Sequence, residues 1–118
     1  MKNGYLHKNE SVGSTNGRPI AVAATLIGSG TTIHTAVSGT SSMDEIWIFA
    51  ANVTTGAVTL TIGWGGTGTS DTILVDVPAK QGLFLVAPGI LLQNSLVVKA
   101  AASTANVINL VGFVNRIA

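Results

Sequence analysis

The chain has 118 residues, no cysteine and a formal net charge of +1. This length favours a single domain, and the lack of cysteine excludes disulfide bonds, thiolate metal ligands and a cysteine nucleophile. No basic region indicates nucleic-acid binding, no secretory signal is visible, and no apolar run approaches the roughly 18 residues of a membrane helix. We therefore expect a soluble protein, made in a cytosol, that binds neither nucleic acid nor membranes.

The content of charged residues is unusually low. Only 9% of the residues are Asp, Glu, Lys or Arg, while 47% are hydrophobic, and an average globular domain carries about 25% charged residues. The surface is therefore covered either by the abundant Ser, Thr, Asn and Gly or by contacts with other subunits. The strand patterns described below favour contacts with other subunits.

Residues 1–18 are predicted to form a flexible N-terminal arm. Gly, Ser, Thr and Asn fill positions 13–17, which is typical of turns and loops. A frayed terminus is the alternative interpretation. The arm has few apolar residues, and its charged residues are Lys2, Lys8, Glu10 and Arg18.

From residue 19 onward, short apolar runs alternate with turn-forming residues. The runs are rich in β-branched residues and begin about 10–12 residues apart, which is the pattern of a β-sandwich or a small barrel. We predict one domain over residues 19–118, an all-β fold with about eight strands in an antiparallel, jelly-roll-like β-sandwich. The runs are 20–26, 31–37, 45–51, 57–64, 72–77, 82–87, 95–101 and 107–117.

The runs show two kinds of pattern. In 57–64, apolar residues alternate with threonine, as expected for a strand with one buried face. The stretches 45–50, 82–86 and 107–114 are apolar on both faces. Because the outer face of a two-layer sandwich is normally polar, these stretches need a cover, supplied either by neighbouring subunits or by loops of the same chain.

No arrangement of side chains indicates catalysis. The histidines, His7 and His34, have no acidic residue at short spacing and no second histidine at metal-ligand spacing. Asp44 and Glu45 are adjacent, so within one strand they point to opposite faces. We therefore predict a protein that is not an enzyme, with no catalytic residues, no metal and no cofactor.

Four segments carry a resemblance to a known group of proteins. They are GYLHKN at 4–9, TTIHTA at 31–36, DEIWIFA at 44–50 and GFVNRI at 112–117. Through them the chain resembles small virion proteins of tailed bacteriophages, namely the cysteine-free proteins rich in Thr, Ala, Gly and Val that are encoded among the head genes of marine phages. The resemblance spans most of the chain and includes no catalytic motif.

The resemblance implies a capsid decoration (cement) protein or another structural part of the phage head. Such a protein is made in the host cytoplasm, lies on the capsid surface of the virion, and has the major capsid protein as its partner. It is expected to be a homo-oligomer, with a trimer favoured. The candidate capsid contacts are Lys2, Tyr5, His7, Lys8 and Arg18. The candidates for the subunit interface or the core are Trp47, Phe49, Phe84 and Phe113.

Two alternative functions remain open from the sequence. The first is a carbohydrate- or cell-surface-binding β-sandwich of a phage tail or fibre, for which Trp64, beside a glycine-rich loop and Asp71, is the candidate site. The second is a head–tail connector or tail-tube subunit, which would form rings of six or more copies. Exposure of Trp64 in a cleft would favour the first alternative.

Overall fold

The computed structural model describes residues 5–7 and 17–118. These residues form nine strands and two short 3-10 turns, at Ile27–Ser29 and Thr69–Asp71. They contain no α-helix, so the prediction of an all-β fold is confirmed. The strands are β1 (Tyr5–His7), β2 (Ile20–Ala21), β3 (Thr31–Thr35), β4 (Met43–Asn52), β5 (Val58–Trp64), β6 (Thr72–Val77), β7 (Phe84–Leu92), β8 (Val97–Ala102) and β9 (Ile108–Ile117).

The strands form two antiparallel sheets, each four strands wide. In sheet I the order is β1-β9-β4-β7, and β2 also pairs with β9. Because β4 pairs with one edge of β9 along its whole length, β1 and β2 occupy successive stretches of the other edge. In sheet II the order is β3-β8-β5-β6. The predicted sandwich-like arrangement of about eight strands is therefore present.

The strand pairs are nested inside one another. β5 pairs with β6, β4 with β7, β3 with β8, and β2 with β9. From β2 to β9 the chain thus follows the path of one long hairpin whose tip is the β5–β6 connection. The chain changes sheet at every connection along this path except the one between β5 and β6. As a result β4 and β9, which are distant in sequence, lie side by side in the middle of sheet I.

The core lies between the sheets and is built from alternating positions. Along β4, buried and half-buried residues alternate over the whole strand. Ile46 and Ile48 of β4 belong to the same buried cluster as Leu60 and Ile62 of β5. Full burial of one such side chain contributes about 1.5–3 kcal/mol to stability. The threonines of β5 are less buried than the residues between them, which confirms the predicted alternation in this strand.

β7 is longer than predicted. The predicted run ends at residue 87, before Pro88 and Gly89, whereas β7 continues to Leu92. Two irregularities in its pairing with β4 accommodate this stretch. Gly89 supplies a backbone φ of +77°, which glycine adopts without strain. Pro88 is tolerated because β7 is an edge strand of sheet I, where a missing amide hydrogen need not break a ladder.

β2 is shorter than predicted. Only Ile20–Ala21 forms a ladder, in place of the predicted run 20–26. The chain then crosses between the sheets: the N–H of Val22 donates to a carbonyl of β9, and the carbonyl of Ala24 accepts from an amide of β8. Because the backbone of this segment bonds first to sheet I and then to sheet II, it cannot continue as a strand of sheet I.

Part of the predicted arm lies on the edge of sheet I. The backbone of Tyr5–His7 forms β1, in which residue 5 pairs with Arg116 and residue 7 with Val114. Residues 1–4 and 8–16 lie outside the described residues. The flexibility of the arm therefore stays a prediction.

Candidate functional site

The outer face of sheet II is polar. Its outward side chains include a hydrogen-bonded pair, in which Thr59 Oγ1 donates to Asp76 Oδ1 at 2.7 Å. A face of this kind is typical of a sheet that meets water. The polar residues at outward positions of this sheet are Thr32, Thr35, Thr59, Thr61, Thr72, Asp76 and Lys99.

The outer face of sheet I is apolar. In the register of its central strands Trp47 lies opposite Phe113, and Phe49 lies between Val111 and Leu85. Among the outward positions of β4, β7 and β9 the only charged residue is Glu45. We call this surface the apolar face and define it by Trp47, Phe49, Leu85, Leu91, Val111 and Phe113. Its existence agrees with the stretches of sequence that are apolar on both sides.

The apolar face is partly open to solvent. Leu85 and Leu91, both on edge strand β7, expose 44% and 47% of their surface. Trp47, Phe49 and Phe113 are half-buried, because neighbouring side chains on the same face cover part of each ring. Single exposed apolar residues are ordinary, whereas a contiguous apolar patch marks an interaction site.

Trp47 lies at the centre of the apolar face, on a central strand of sheet I. Its ring stacks on that of Phe113, with centroids 5.8 Å apart and an angle of 12° between the planes. On its other side it lies over Gly89, where an added Cβ would stand 2.9 Å from Cζ2 of the indole. The indole Nε1 is buried and has no hydrogen-bond partner among the described residues. Phe113 and Gly89 thus hold the indole between them.

The predicted packing residues divide between two environments. Trp47, Phe49 and Phe113 lie on the apolar face. Phe84 lies opposite Ala50, at an inward position of β7, and packs against the core. The sequence could not separate these environments, because the runs that contain the four residues are apolar on both faces.

The predicted capsid contacts lie mostly beyond what the structure describes. Lys2 and Lys8 are outside the described residues, and for Tyr5 and His7 only the backbone is described, in β1. Arg18 is exposed just before β2. Their role in binding therefore stays a prediction.

A buried carboxylate joins the two sheets. Asp44 on β4 has no exposed surface, and its Oδ2 lies 2.8 Å from Nε2 of His34 on β3. Arg116 on β9 donates from Nε to Oδ1 at 2.7 Å and from Nη2 to Oδ2 at 3.1 Å. The backbone N–H of Val37 donates to Oδ2 at 3.0 Å. We call His34, Asp44 and Arg116 the Asp44 cluster.

The charges within the Asp44 cluster stabilise one another. Burial alone would raise the pKa of Asp44, but the hydrogen bonds and charges of Arg116 and His34 outweigh this effect and hold the pKa below its ordinary value. The hydrogen bond to Asp44 raises the pKa of Arg116. An ionised carboxylate only accepts hydrogen bonds, so Nε2 of His34 carries the proton between the two side chains.

The Asp44 cluster is suited to holding the sheets together. Both carboxylate oxygens of Asp44 already accept hydrogen bonds from the protein. The Nδ1 atom of His34 is buried and has no partner among the described residues. The cluster was not apparent from the sequence, because Asp44 is ten residues away from His34 and Arg116 is on a distant strand. One signal was available. Asp44 and Ile46 are two residues apart in β4, so their side chains point to the same, inward face, and a charge in such a position needs a partner.

Trp64 does not stand exposed in a cleft, as the carbohydrate-binding alternative expects. It is half-buried against the core, and its Nε1 donates to the carbonyl of Leu91 at 3.1 Å. A cleft of about 280 Å³ lies nearby, but Trp64 does not line it. The residues around this cleft are Gly65, Gly66, Thr67, Ser95, Leu96, Val97 and Lys99.

Three further searches bear on the site. Among residues 5–7 and 17–118 there is no group of three or more His, Cys, Asp or Glu side chains that could hold a metal ion. The same residues contain no helix long and apolar enough to cross a membrane. Comparisons with protein-family models, with curated proteins and with solved structures give no match. The candidate site is therefore argued from its geometry alone, and that site is the apolar face.

Proposed function

We propose that this chain is a structural protein of a tailed-phage virion, a capsid decoration (cement) protein. In this role it binds the outer surface of the head and reinforces the contacts between major capsid subunits without forming covalent bonds. The observation that carries the proposal is the apolar face, on a chain that has few charges with which to solvate it. A surface of this kind fits a protein that acts by packing against other subunits.

The strand order supports the proposal. We infer that the nested pairs β2·β9, β3·β8, β4·β7 and β5·β6 are those of a jelly roll, in which one long hairpin wraps into two sheets. Viral capsid domains use this architecture, and so do lectins. The fold alone does not imply a function. The apolar outer face of sheet I is what favours a structural role over sugar binding.

The N-terminal arm supplies the second contact in the proposed role. Basic residues concentrate there, in Lys2, Lys8 and Arg18, whereas the apolar face contains none. β1 demonstrates that residues 5–7 can pair with a sheet edge, and strand addition of this kind is a common way for an extended segment to bind a partner. In the proposed role, the arm contacts the major capsid protein and the sandwich domain stands above it.

The two alternative functions have less support. A carbohydrate-binding module favours exposed aromatic rings in a cleft, and Trp64 has neither the exposure nor a free Nε1. A connector or tail-tube subunit would assemble into rings of six or more copies. The mass of the free protein in solution separates that alternative from the decoration role.

The proposal is tested by binding to heads. Purified protein is mixed with heads assembled from the major capsid protein of the phage that encodes this chain, sedimented, and imaged by electron cryomicroscopy. We expect saturable binding and new density on the outer surface, together with a higher temperature for head disruption. A variant that lacks residues 1–16 is the control and is expected to bind less. If the full chain does not bind, or lies inside the head, the proposed function is wrong.

A further inference from the structure

We infer that the apolar face binds the apolar face of a second copy of this chain, so that two copies pack sheet I against sheet I about a two-fold axis. The inference rests on the proposed function in one respect only, the assignment of the charged arm to the capsid and of the apolar face to the chain itself.

The charge distribution suits contact with an identical surface. In a two-fold contact the same patch is present on both sides, so each charged residue in the patch is buried twice and loses hydration unless it is paired. Glu45 is the only charged residue at the outward positions of β4, β7 and β9, and its Oε1 accepts a hydrogen bond from Asn115 Nδ2 at 3.1 Å. It lies at one end of the face, two residues before Trp47. The central rows are therefore uncharged and face their own copy without burying a charge.

The described part of the chain offers no second surface that matches the apolar face. The outer face of sheet II is rich in threonine and carries Asp76 and Lys99. The other strongly exposed apolar residues, such as Leu26, Val53 and Leu74, are scattered over different elements. A trimer related by a three-fold axis would need the apolar face to meet a different apolar surface of the next copy. Its best counterpart within this chain is the same face, which favours a pair over the expected trimer.

The shape and size of the face are sufficient for a weak pair. Trp47 is half-buried between Phe113 and Gly89, and sheets that carry aromatic side chains stack face to face at a usual spacing of about 10 Å. The face is three strands wide, and strands of 9 and 10 residues that rise about 3.3 Å per residue and lie about 4.8 Å apart give it about 450 Å². Two such faces cover about 900 Å², below the roughly 1,200 Å² at which stable specific interfaces begin, so we expect weak, reversible association with a dissociation constant between about 10 µM and about 1 mM.

The first test measures the mass of the full chain by light scattering, over a dilution series from about 1 mM to about 1 µM. We expect a change from two copies to one across this range. Amide resonances recorded over the same series localise the contact without any substitution. They are expected to shift in β4, β7 and β9 and to stay constant in β5, β6 and β8.

The second test uses matched substitutions of exposed leucines. Leu85→Lys together with Leu91→Lys brings positive charges into the face, where pairing of two copies would remove their hydration, and we expect association at least about tenfold weaker. The control is Leu74→Lys, because Leu74 is 65% exposed and belongs to edge strand β6 of sheet II. It is expected to leave association unchanged. Thermal unfolding of each variant checks that the fold is retained.

The outcomes separate this inference from the proposed function. A monomer at every concentration, a stable trimer, or association that only Leu74→Lys weakens would each overturn the two-fold pair. If the chain binds heads but never pairs, the proposed function stands and the two-fold pair is wrong. If it pairs through the apolar face but does not bind heads, the two-fold pair stands and the proposed function is wrong.

Discussion

Asp44 and Arg116 stand directly opposite each other on β4 and β9 and form a two-point ion pair, although 72 residues separate them in the chain. The pair closes the nested hairpin at the level where His34 reaches across from sheet II. An arginine that donates two hydrogen bonds to one carboxylate fixes the geometry as well as the charge. The Asp44 cluster therefore couples the last strand of the chain to both sheets.

Asp44→Asn is expected to lower the free energy of unfolding by about 2–3 kcal/mol, because it removes the carboxylate that the buried His34 and the partly exposed Arg116 both contact. The measurement is urea-induced unfolding at neutral pH. Glu45→Gln is the matched control, since residue 45 is next in sequence but lies on the outer face of sheet I, and a change of about 0.5 kcal/mol or less is expected there. Equal effects of the two substitutions would contradict the role given to Asp44.

The Asp44 cluster also predicts how stability depends on pH. The pKa of Asp44 is lowered in the folded protein, so the ionised carboxylate contributes stability that is fully present above the unfolded pKa of about 3.9. That contribution is lost as the pH falls through the lower folded pKa. We expect the difference in unfolding free energy between the native chain and Asp44→Asn to shrink as the pH is lowered from 7 towards about 2. A difference that stays constant over this interval would show that the carboxylate is not the cause.

The strands could be predicted from the sequence because their signal is local. In β5 and β6, apolar residues recur at every second position and turn-forming residues lie on both sides. The extension of β7 through Pro88 and Gly89 could not be predicted, because it depends on the position of β7 at a sheet edge. Whether a strand lies at the edge of a sheet depends on the whole fold and cannot be determined from residues 82–92 alone.

The candidate site was predictable only in part. Stretches that are apolar on both sides implied a covered outer face, and the apolar face is that surface. Which aromatic ring points outward depends on register, and one step along a strand moves a side chain to the other face. This is why Phe84 and Phe49 could not be separated. The Asp44 cluster depends on the pairing of β4 with β9, which no local pattern encodes.

Asn52→Ala is expected to lower the free energy of unfolding by about 2 kcal/mol or more, because it leaves buried backbone groups without partners. Asn52 is buried at the end of β4, and its Nδ2 donates to the carbonyls of Gly56 and Val77, each at 2.9 Å. Its Oδ1 accepts from the backbone N–H of Thr54 at 2.9 Å. Chemical denaturation measures the effect. Asn109→Ala, at an outward position of β9, is the control and is expected to cost less than about 1 kcal/mol.

Gly89→Ala is expected to destabilise the fold and to displace Trp47. The backbone at Gly89 has a φ of +77°, and an added Cβ would stand 2.9 Å from the indole, closer than carbon atoms approach without a shift of one of them. Gly82→Ala is the matched control, because Gly82 has a similar φ of +69° but nothing within 4 Å of an added Cβ. Both substitutions carry the backbone cost of about 1–3 kcal/mol. Only Gly89→Ala adds the contact with Trp47.

The two glycine variants therefore separate backbone strain from the support of the indole. Urea-induced unfolding gives the free energies, and near-ultraviolet circular dichroism reports the packing of Trp47 on Phe113. We expect a larger loss of stability for Gly89→Ala than for Gly82→Ala, and a changed aromatic signal for Gly89→Ala alone. Because a displaced indole would change the shape of the apolar face, this variant is also expected to weaken any association through that face. Identical stabilities and identical aromatic signals for the two variants would mean that Gly89 does not set the position of Trp47.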